Sequence, residues 1–580
     1  MDFLKKMLNQ EIPPKQKALL LSVLAAITFY SASQIKRRKL SKNNPSQIKK
    51  AQNKYNSTKA ALSSISKLPK VSEEKISKIR SSNIHELRES LDNGDFSCEE
   101  LLITYLNRLK THAISRNLIN AVNIDEALAC ARALDEELKS GHKRGPFHGI
   151  PISVKDMIQV KNFPATKGFT MLSHNLQNED CLIIDALRRG GAVFYVTGTV
   201  PQGLGAFETN NWATGQAENP WRYLRTPGGS SGGDAGLVAS GCCALGIGSE
   251  LYGSIRIPSA FCGLYGIKPT AGRISKFCPN QSSHPFPVLS AAYGPMAKST
   301  EDLALFFQVL CSDYVFKKDP LTPPIFWNEE KYREKRKLRI GYIESNEYWP
   351  LPSCMQRAMT LAKNALEDHE FIKIDLPDLD ICNELLVSIM ENSDSKEIGE
   401  PDLFRQKFQA GKSWLAQLKK NFSKNKETFY AKGSCLKSAY DYVKNLIKAT
   451  QIKNEFIKKW IDLGIDVIIG PYPVPAILHG SFQELYPGFI YSTFFNLLDC
   501  PAGNVPVGVV NENEEFYPET EEHWTKVMNK NMQDSKGLPL CVQIMAPPYR
   551  EELCLNVMKQ LEEKIPFWKT YQDCLELVKE

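Results

Sequence analysis

Segment 226–254 carries the residues whose types and spacing point most directly to chemistry. It reads TPGGSSGGDAGLVASGCCALGIGSELYGS, and nine of its 29 residues are glycine, against 35 in the whole chain of 580. It also holds two glycine-flanked serine centres, Ser230–Ser231 and Ser254. Glycine allows positive φ and lets backbone N–H groups approach a ligand closely. Amide donors gathered beside a hydroxyl can hold an oxyanion next to a nucleophile, so the segment predicts a serine hydrolase site.

Two other interpretations of this segment compete with that one. A Gly/Ser-rich stretch is also typical of a flexible linker, but LVASGCCALGIG is apolar and favours packing. Residues 228–232 match the G-x-S-x-G nucleophile elbow of α/β hydrolases, which requires a hydrophobic strand running directly into it. The preceding ENPWRYLRTP is polar and ends at Pro227. The pattern therefore disfavours both the linker and the elbow.

A lysine follows a strand-like apolar run upstream of this segment. FHGIPISV (147–154) is rich in β-forming residues, and Lys155 comes directly after it. Such a lysine either snorkels to the surface or is desolvated, and burial lowers a lysine pKa so that the neutral amine can act as a base. The residues alone leave both possibilities open.

Taken together, Lys155, GGSSGG (228–233) and GSIRIP (253–258) resemble the pattern of the amidase signature family of Ser-Ser-Lys hydrolases. The continuation SAFCGLYGIKPT (259–270) is similar in particular to the fatty acid amide hydrolases of that family. Further similar segments are VPQGLGAF (200–207), NPW (219–221), GPMAKS (294–299), DCPAGNVPV (499–507) and GLPLCVQ (537–543). The resemblance covers the chain from about residue 75 to its end.

The resemblance implies a role for each matching residue. Ser254 matches the nucleophile, Ser230 the bridging serine and Lys155 the general base, with no metal or organic cofactor. Ser231 either supports the hydrogen-bond network or is a simple turn residue. The residues implied to bind the oxyanion and the substrate are Leu251, Tyr252, Gly253, Leu204 and Phe207.

Two residues before the nucleophile depart from the family pattern. The family's loop usually reads Asp-x-Gly-Gly-Ser, whereas this chain has Glu250-Leu251-Tyr252-Gly253-Ser254. If position 252 requires positive φ, Tyr252 is strained there and tilts an N–H away from the oxyanion. Glu250 is one methylene longer than Asp, and we expect it to miss the family's backbone partners. Reduced activity or an altered substrate preference is the expected consequence.

The first 70 residues differ from the rest of the chain. Residues 18–35 (ALLLSVLAAITFYSASQI) are 18 residues without a charge, bracketed by Lys17 and Lys36. Such a helix would reach about 27 Å, just enough to span a bilayer core. The basic run 36–39 predicts a cytosolic C-terminal side. A cleaved signal peptide is the alternative, but its n-region would be long and its mature start strongly basic.

Composition limits the classes of partner. The net charge of +7 is concentrated beside the apolar segment, where lysine and arginine meet anionic lipid headgroups, and no nucleic-acid-binding motif accompanies it. Fifteen cysteines without regular spacing indicate buried free thiols in a reducing compartment. There is no C-x-x-C or H-E-x-x-H motif, so the sequence predicts no metal site.

The order of apolar patterns predicts an α/β fold. Amphipathic helical patterns such as SCEELLITYLNRLK (97–110) alternate with strand-like runs such as KLRIGYI, EFIKIDL, IDVIIGPY and LPLCVQIM. This alternation favours a central mixed sheet covered by helices on both faces. We expect a membrane anchor over 1–35, a basic juxtamembrane or helical linker over 36–75, and one catalytic domain over 76–580.

A second membrane contact is predicted between residues 412 and 424. Trp414, Leu415, Leu418 and Phe422 fall on one helical face and are surrounded by lysines. This pattern is typical of an interfacial helix, although an ordinary basic surface helix fits it as well.

The sequence therefore predicts a membrane-anchored amidase of fatty acid amides, such as primary amides or N-acylethanolamines. Its expected location is an intracellular membrane such as the endoplasmic reticulum, with the catalytic domain facing the cytosol. The resemblance also implies a homodimer. The alternatives are an amidase or esterase for shorter acyl substrates, and a pseudoenzyme that binds lipid without turnover.

Overall fold

The computed structural model describes residues 45–278, 289–386 without 346, 348, 380, 383 and 384, 439–571, and 575. The predicted anchor over 1–35 and the predicted interfacial helix around Trp414 lie outside the described residues. Within the described ranges, no helix combines the length and the apolarity that a membrane crossing needs. The described residues from 49 onward cluster into one unit, which contains the whole sheet.

The chain forms the predicted mixed α/β arrangement. Its strands are β1 (Ile119–Val122), β2 (Pro151–Lys155), β3 (Val193–Gly198), β4 (Asn210–Asn211), β5 (Gly215–Gln216), β6 (Leu245–Glu250), β7 (Tyr265–Lys268), β8 (Ala292–Ala297), β9 (Arg339–Tyr342), β10 (Glu370–Lys373), β11 (Val467–Pro471), β12 (Ala502–Val509) and β13 (Pro539–Met545). Eleven of them form one sheet in the order β1-β3-β2-β6-β8-β7-β12-β13-β11-β9-β10. The four strand-like runs named above each contain one of these strands.

Helices connect the strands. They are α1 (Pro45–Ser63), α2 (Glu73–Ser81), α3 (Ile84–Asn93), α4 (Cys98–Arg108), α5 (Ile124–Lys139), α6 (Leu182–Arg189), α7 (Gly232–Ala239), α8 (Arg256–Phe261), α9 (Thr300–Leu310), α10 (Asp313–Lys318), α11 (Glu329–Arg333), α12 (Ser353–Ala365), α13 (Ala439–Asp462), α14 (Phe482–Leu485), α15 (Ile490–Leu497), α16 (His523–Met532), α17 (Glu551–Lys564) and α18 (Phe567–Tyr571). α4 begins with the predicted capping box, in which Ser97 accepts from the Glu100 N–H and Glu100 accepts from the Ser97 N–H.

The sheet is mixed and its centre is buried on both faces. β2 runs parallel to β3 and β6, whereas β6 runs antiparallel to β8. Every residue of β2, β3, β6, β8, β11 and β13 is buried, so other parts of the chain cover both faces there. Because β2 and β6 are parallel neighbours, their carboxyl ends meet at one edge of the sheet. Lys155 ends β2, and the loop to Ser254 follows β6 at that edge.

Part of the predicted linker over 36–75 is described. α1 buries Ala51, Tyr55 and Leu62, and the Lys54 ammonium donates to the Ser173 carbonyl. Residues 49–63 of α1 therefore belong to the unit that holds the sheet.

Candidate active site

Lys155 lies at the buried end of β2. Only 1% of its surface is exposed, so its side chain does not snorkel to solvent. Its Nζ lies 2.8 Å from Ser230 Oγ, 2.9 Å from the Ser249 carbonyl and 2.9 Å from Ser249 Oγ. The amine thus contacts Ser230 and is held in place by a second serine, Ser249.

The surroundings of Lys155 set its protonation. Burial lowers the pKa of Lys155 to about 7, although the negative charges of Asp234 and Glu250 oppose the shift. An amine with this pKa is partly neutral at neutral pH and can accept a proton, which an ordinary surface lysine cannot do. Of the two possibilities that the sequence left open, the structure therefore favours the desolvated amine.

The two serine centres meet beside this amine. Ser230 lies just before α7 and is buried, and the Gly229–Ser230 peptide bond is cis. Ser231 directly precedes α7 without a side-chain capping hydrogen bond, and its N–H donates to the Ser254 carbonyl at 3.2 Å. Ser254 lies between β6 and α8 and is 8% exposed. Ser231 is therefore a backbone link between the two serine-bearing segments.

The loop before Ser254 leaves backbone donors available. Among the described residues, no protein acceptor binds the N–H groups of Leu251, Tyr252, Gly253 or Ser254. Gly253 has φ +107°, a backbone conformation that favours glycine, and a Cβ there would lie 2.6 Å from Ile257 Cδ1 and push that side chain aside. Tyr252 does not adopt positive φ. The backbone strain considered for Tyr252 is therefore absent.

The expectation that Glu250 misses its backbone partners is wrong. Its Oε2 accepts from the N–H groups of Ile255 at 2.9 Å and Arg256 at 3.0 Å, at the start of α8. The extra methylene is accommodated because Oε1 also binds the Arg256 guanidinium, with Nε at 2.9 Å. Burial favours a higher pKa for Glu250, but the charge and hydrogen bonds of Arg256, together with the charge of Lys268 and the Asn496 amide, hold that pKa below its ordinary value. This ion pair fixes the loop that ends at Ser254.

Sequence reasoning missed the distant residues that complete this ion pair. Arg256 donates to Gln543 Oε1 at 2.7 Å and to Asn496 Oδ1 at 2.6 Å, and Asn496 Nδ2 donates to Glu250 at 3.0 Å. Gln543 ends the similar segment GLPLCVQ, which was the available signal for it. Ser249 was missed as well, because a serine inside an apolar strand pattern carries no sign that it faces a lysine.

An aromatic cluster lies beside the loop that ends at Ser254. Tyr252, 4% exposed, stacks on Phe207 with ring centroids 6.2 Å apart and on Tyr486 at 6.0 Å. Phe207 also contacts Phe482 at 5.1 Å and Phe489 at 5.0 Å. Phe207 Cε1 lies 3.7 Å from where a Gly253 Cβ would stand. We call these five residues the aromatic wall.

The other two predicted substrate residues are placed differently. Leu251 is partly buried against the hydrophobic core. Leu204 is partly exposed at φ +63°, in the turn Gln202–Leu204, and it is not part of the core that contains Phe207 and Tyr252. The structure thus brings Phe207 and Tyr252 together beside Gly253.

Comparison with known proteins assigns the family. A family profile described as Amidase matches residues 100–555. The chain belongs to the amidase signature family. It is therefore an amide hydrolase, and its sheet with the surrounding helices is the amidase-signature α/β fold.

Several relatives of this amidase are known by name. Fatty-acid amide hydrolase 1 of Sus scrofa is 30% identical over 498 residues, which are 82% of this chain and 84% of that protein. Fatty acid amide hydrolase 1 of Caenorhabditis elegans is 29% identical over 570 residues, 94% of this chain and 98% of that protein. A solved fatty acid amide hydrolase structure superposes with a TM-score of 0.75 at 22% identity, covering 91% of this amidase and 96% of that chain. This superposition establishes the shared fold.

Proposed function

We propose that this amidase hydrolyses fatty acid amides, such as primary amides and N-acylethanolamines, through an acyl-enzyme on Ser254. The observation that carries the proposal is the 2.8 Å contact between the buried Lys155 amine and Ser230 Oγ. A pKa of about 7 for that amine supports a role as general base. The Ser254 hydroxyl would complete the relay.

The proposed reaction follows from this arrangement. Lys155 takes the Ser230 proton while Ser230 takes the Ser254 proton, and Ser254 Oγ bonds to the amide carbon. The free N–H groups of the loop before Ser254 bind the oxyanion. The relay then returns the proton to the leaving nitrogen as the C–N bond breaks. Water next attacks the acyl-enzyme, and the same relay takes up the proton of the water and returns it to Ser254.

The fatty acyl preference rests on two observations. The two named relatives are fatty acid amide hydrolases, and each aligns with most of this chain's length. The aromatic wall also gives the nucleophile loop an apolar flank on which an acyl chain can lie. A panel of amides with acyl chains from C2 to C20 tests this: a maximum at long chains supports the proposal, and a maximum at C2 to C6 would favour the short-acyl alternative.

Fluorophosphonate labelling, combined with the amide panel, separates an enzyme from a lipid-binding pseudoenzyme. A fluorophosphonate probe reacts only with an activated serine. If the probe labels the parental protein but no amide in the panel is hydrolysed, the proposed substrate class is wrong and the proposed nucleophile stands. Absence of both would support the pseudoenzyme.

We further propose that the apolar segment 18–35 anchors the enzyme in an intracellular membrane, such as the endoplasmic reticulum, with the catalytic domain in the cytosol. A long acyl chain partitions into lipid, so an enzyme at the membrane meets its substrate there. A homodimer would place two such sites on one membrane. The charge-free length of the segment and the basic residues after it support the anchor.

Deleting residues 1–35 is expected to leave hydrolysis of short soluble amides intact and to release only part of the protein from membranes. The remainder would be held by the predicted interfacial helix around Trp414 and Leu418 with its lysines. Vesicle flotation at low and high salt measures the bound fraction, and Trp414→Ala/Leu418→Ala in the truncated protein is the control. Complete solubility of the truncated protein at low salt without detergent would argue against the second contact.

Replacing Tyr252 by glycine is expected to raise KM for long-chain amides without raising kcat, because Tyr252 is unstrained and forms part of the aromatic wall. Loss of so large a buried ring should also cost about 3 kcal/mol of unfolding free energy. Tyr252→Phe keeps the ring and is the matched control. Steady-state kinetics with C2 and C16 amides measure both constants. A rise in kcat for both would show instead that Tyr252 impairs the oxyanion loop.

A further inference from the structure

A buried carboxyl group lies close to the proposed base and has no place in the relay. Asp234 belongs to the first turn of α7, four residues after Ser230, and is fully buried. An acidic residue in the first helical turn is favoured by the helix dipole when it is ionised. Desolvation opposes that ionisation. Because these two effects oppose each other, the ionisation of the Asp234 carboxyl group is sensitive to a nearby charge.

The sheet places this carboxyl beside Lys155. Asp234 lies directly over Gly198 of β3, where an added Cβ would meet Oδ2 at 2.5 Å. Gly198 pairs with Lys155 across the β2–β3 ladder. On the other side, an added Cβ at Gly246 would meet both the Asp234 Cβ at 3.3 Å and Ser153 Oγ at 3.2 Å. Ser153 and Lys155 are two residues apart on one strand and share a face, so Asp234 and the Lys155 side chain occupy the same side of the sheet.

The charges around Asp234 single out Lys155. The elements packed against α7 carry Lys110, His112, Lys155, Tyr195, Glu250, Arg256 and Tyr293, and the adjoining connections carry Arg116, Asp156, Cys242, Cys243 and Lys298. Of the cations among them, Lys155 is the one whose charge acts on Asp234. Glu250, the other carboxylate that acts on Lys155, already forms the ion pair with Arg256. Burial raises the pKa of Asp234 to about 7, while the Ser153 hydroxyl and the charge of Lys155 lower it. Burial raises the pKa of the Cys243 thiol, and Asp234 adds to the rise. Lys155 is therefore the cation that the Asp234 carboxylate can stabilise.

We propose that Asp234 is a positioning residue for Lys155, whose carboxylate stabilises the ammonium that forms when Ser254 attacks the amide. This inference rests on the proposed relay. As the Ser254–carbon bond forms and the carbonyl electron pair moves to oxygen, one proton passes through Ser230 to the Lys155 amine. The new positive charge appears in a dry interior beside Asp234. When the C–N bond breaks, the same proton leaves Lys155 for the departing nitrogen and the charge disappears.

The test is the pH dependence of fluorophosphonate labelling in Asp234→Asn. Removing the negative charge makes protonation of Lys155 less favourable, so the acid limb of the labelling rate should move to lower pH by about one pH unit. The plateau rate should fall by roughly tenfold, since the ammonium loses its partner. Asp302→Asn is the matched control: Asp302 is also a buried aspartate in a first helical turn, but it accepts from the Ile84 N–H. Its acid limb should stay at the parental pH.

Each outcome decides between the inference and the proposed function. If the parental protein is labelled on Ser254 and the acid limb of Asp234→Asn does not move, the inference is wrong and the relay stands. If Ser254 of the parental protein is not labelled at any pH, the proposed function fails first. Asp234→Ser removes the same charge with a smaller side chain and decides the matter if the asparagine variant does not fold. If neither variant folds while Asp302→Asn does, Asp234 serves the fold rather than Lys155, and the inference is overturned.

Discussion

Ser254→Ala is expected to abolish acyl-enzyme formation and to lower kcat by roughly 10⁴-fold or more, because the nucleophile and its relay act as a unit. Labelling by a fluorophosphonate probe should disappear with it. Ser259→Ala is the matched control, since Ser259 is a buried serine five positions on whose hydroxyl donates to the Ile255 carbonyl at 2.7 Å. Its labelling should remain within a few-fold of the parental rate.

The site of the probe adduct adds a second test of this prediction. Peptide mass spectrometry should find the adduct on Ser254. An adduct on Ser230 would instead support the nucleophile elbow over 228–232. Parental hydrolysis by Ser254→Ala would show that the nucleophile lies elsewhere. A Ser254→Ala/Lys155→Ala double variant should be no slower than Ser254→Ala alone, because both changes remove the same relay.

Lys155→Met is expected to lower kcat/KM by roughly 10²- to 10⁴-fold, the usual contribution of a general base. In the parental enzyme, activity should rise as pH increases through about 7, where Lys155 loses its proton. The variant should lack this rise. Lys268→Met is the control, because Lys268 also ends a strand, is buried, and has a pKa lowered by burial, but donates to the Pro269 carbonyl.

Stability gives an independent test of the same lysine. The unfolded chain binds a proton at Lys155 up to pH 10.5, whereas the folded protein releases it at about 7. Between these values the unfolded state binds more protons, so the contribution of Lys155 to stability rises with pH across that window. Thermal melting of Lys155→Met should show a weaker rise than the parental protein. An unchanged rise would mean that Lys155 is charged in the folded state.

Local patterns predicted the elements that position the site. The apolar run before Lys155 ends in β2, and the capping box at Ser97 begins α4, because both depend on neighbouring residues. The distant residues that complete the Glu250–Arg256 ion pair could not be found in this way. Asn496 on α15 binds both members of the pair and Gln543 on β13 binds Arg256, and only the tertiary fold brings them to this loop. The amidase resemblance gave the relay residues, but it could not show that Asp234 shares their side of the sheet.

The surroundings of Tyr252 could not be predicted from the sequence, for a related reason. Its type suggested strain because the family has glycine at that position. Whether a tyrosine is strained depends on its φ and on the rings it meets, and Phe207 and Tyr486 come from remote parts of the chain. The substitution therefore changes the surface beside the nucleophile rather than the geometry of the backbone.

The hydrogen bond from Arg256 to Gln543 has a consequence for biosynthesis. The two residues are 287 positions apart, so β13 is synthesised long after the nucleophile loop. A ribosome-bound chain that stops before β13 already contains every residue of the proposed relay but lacks the amide that holds Arg256. The growing chain therefore gains its complete candidate site only after β13 has been synthesised.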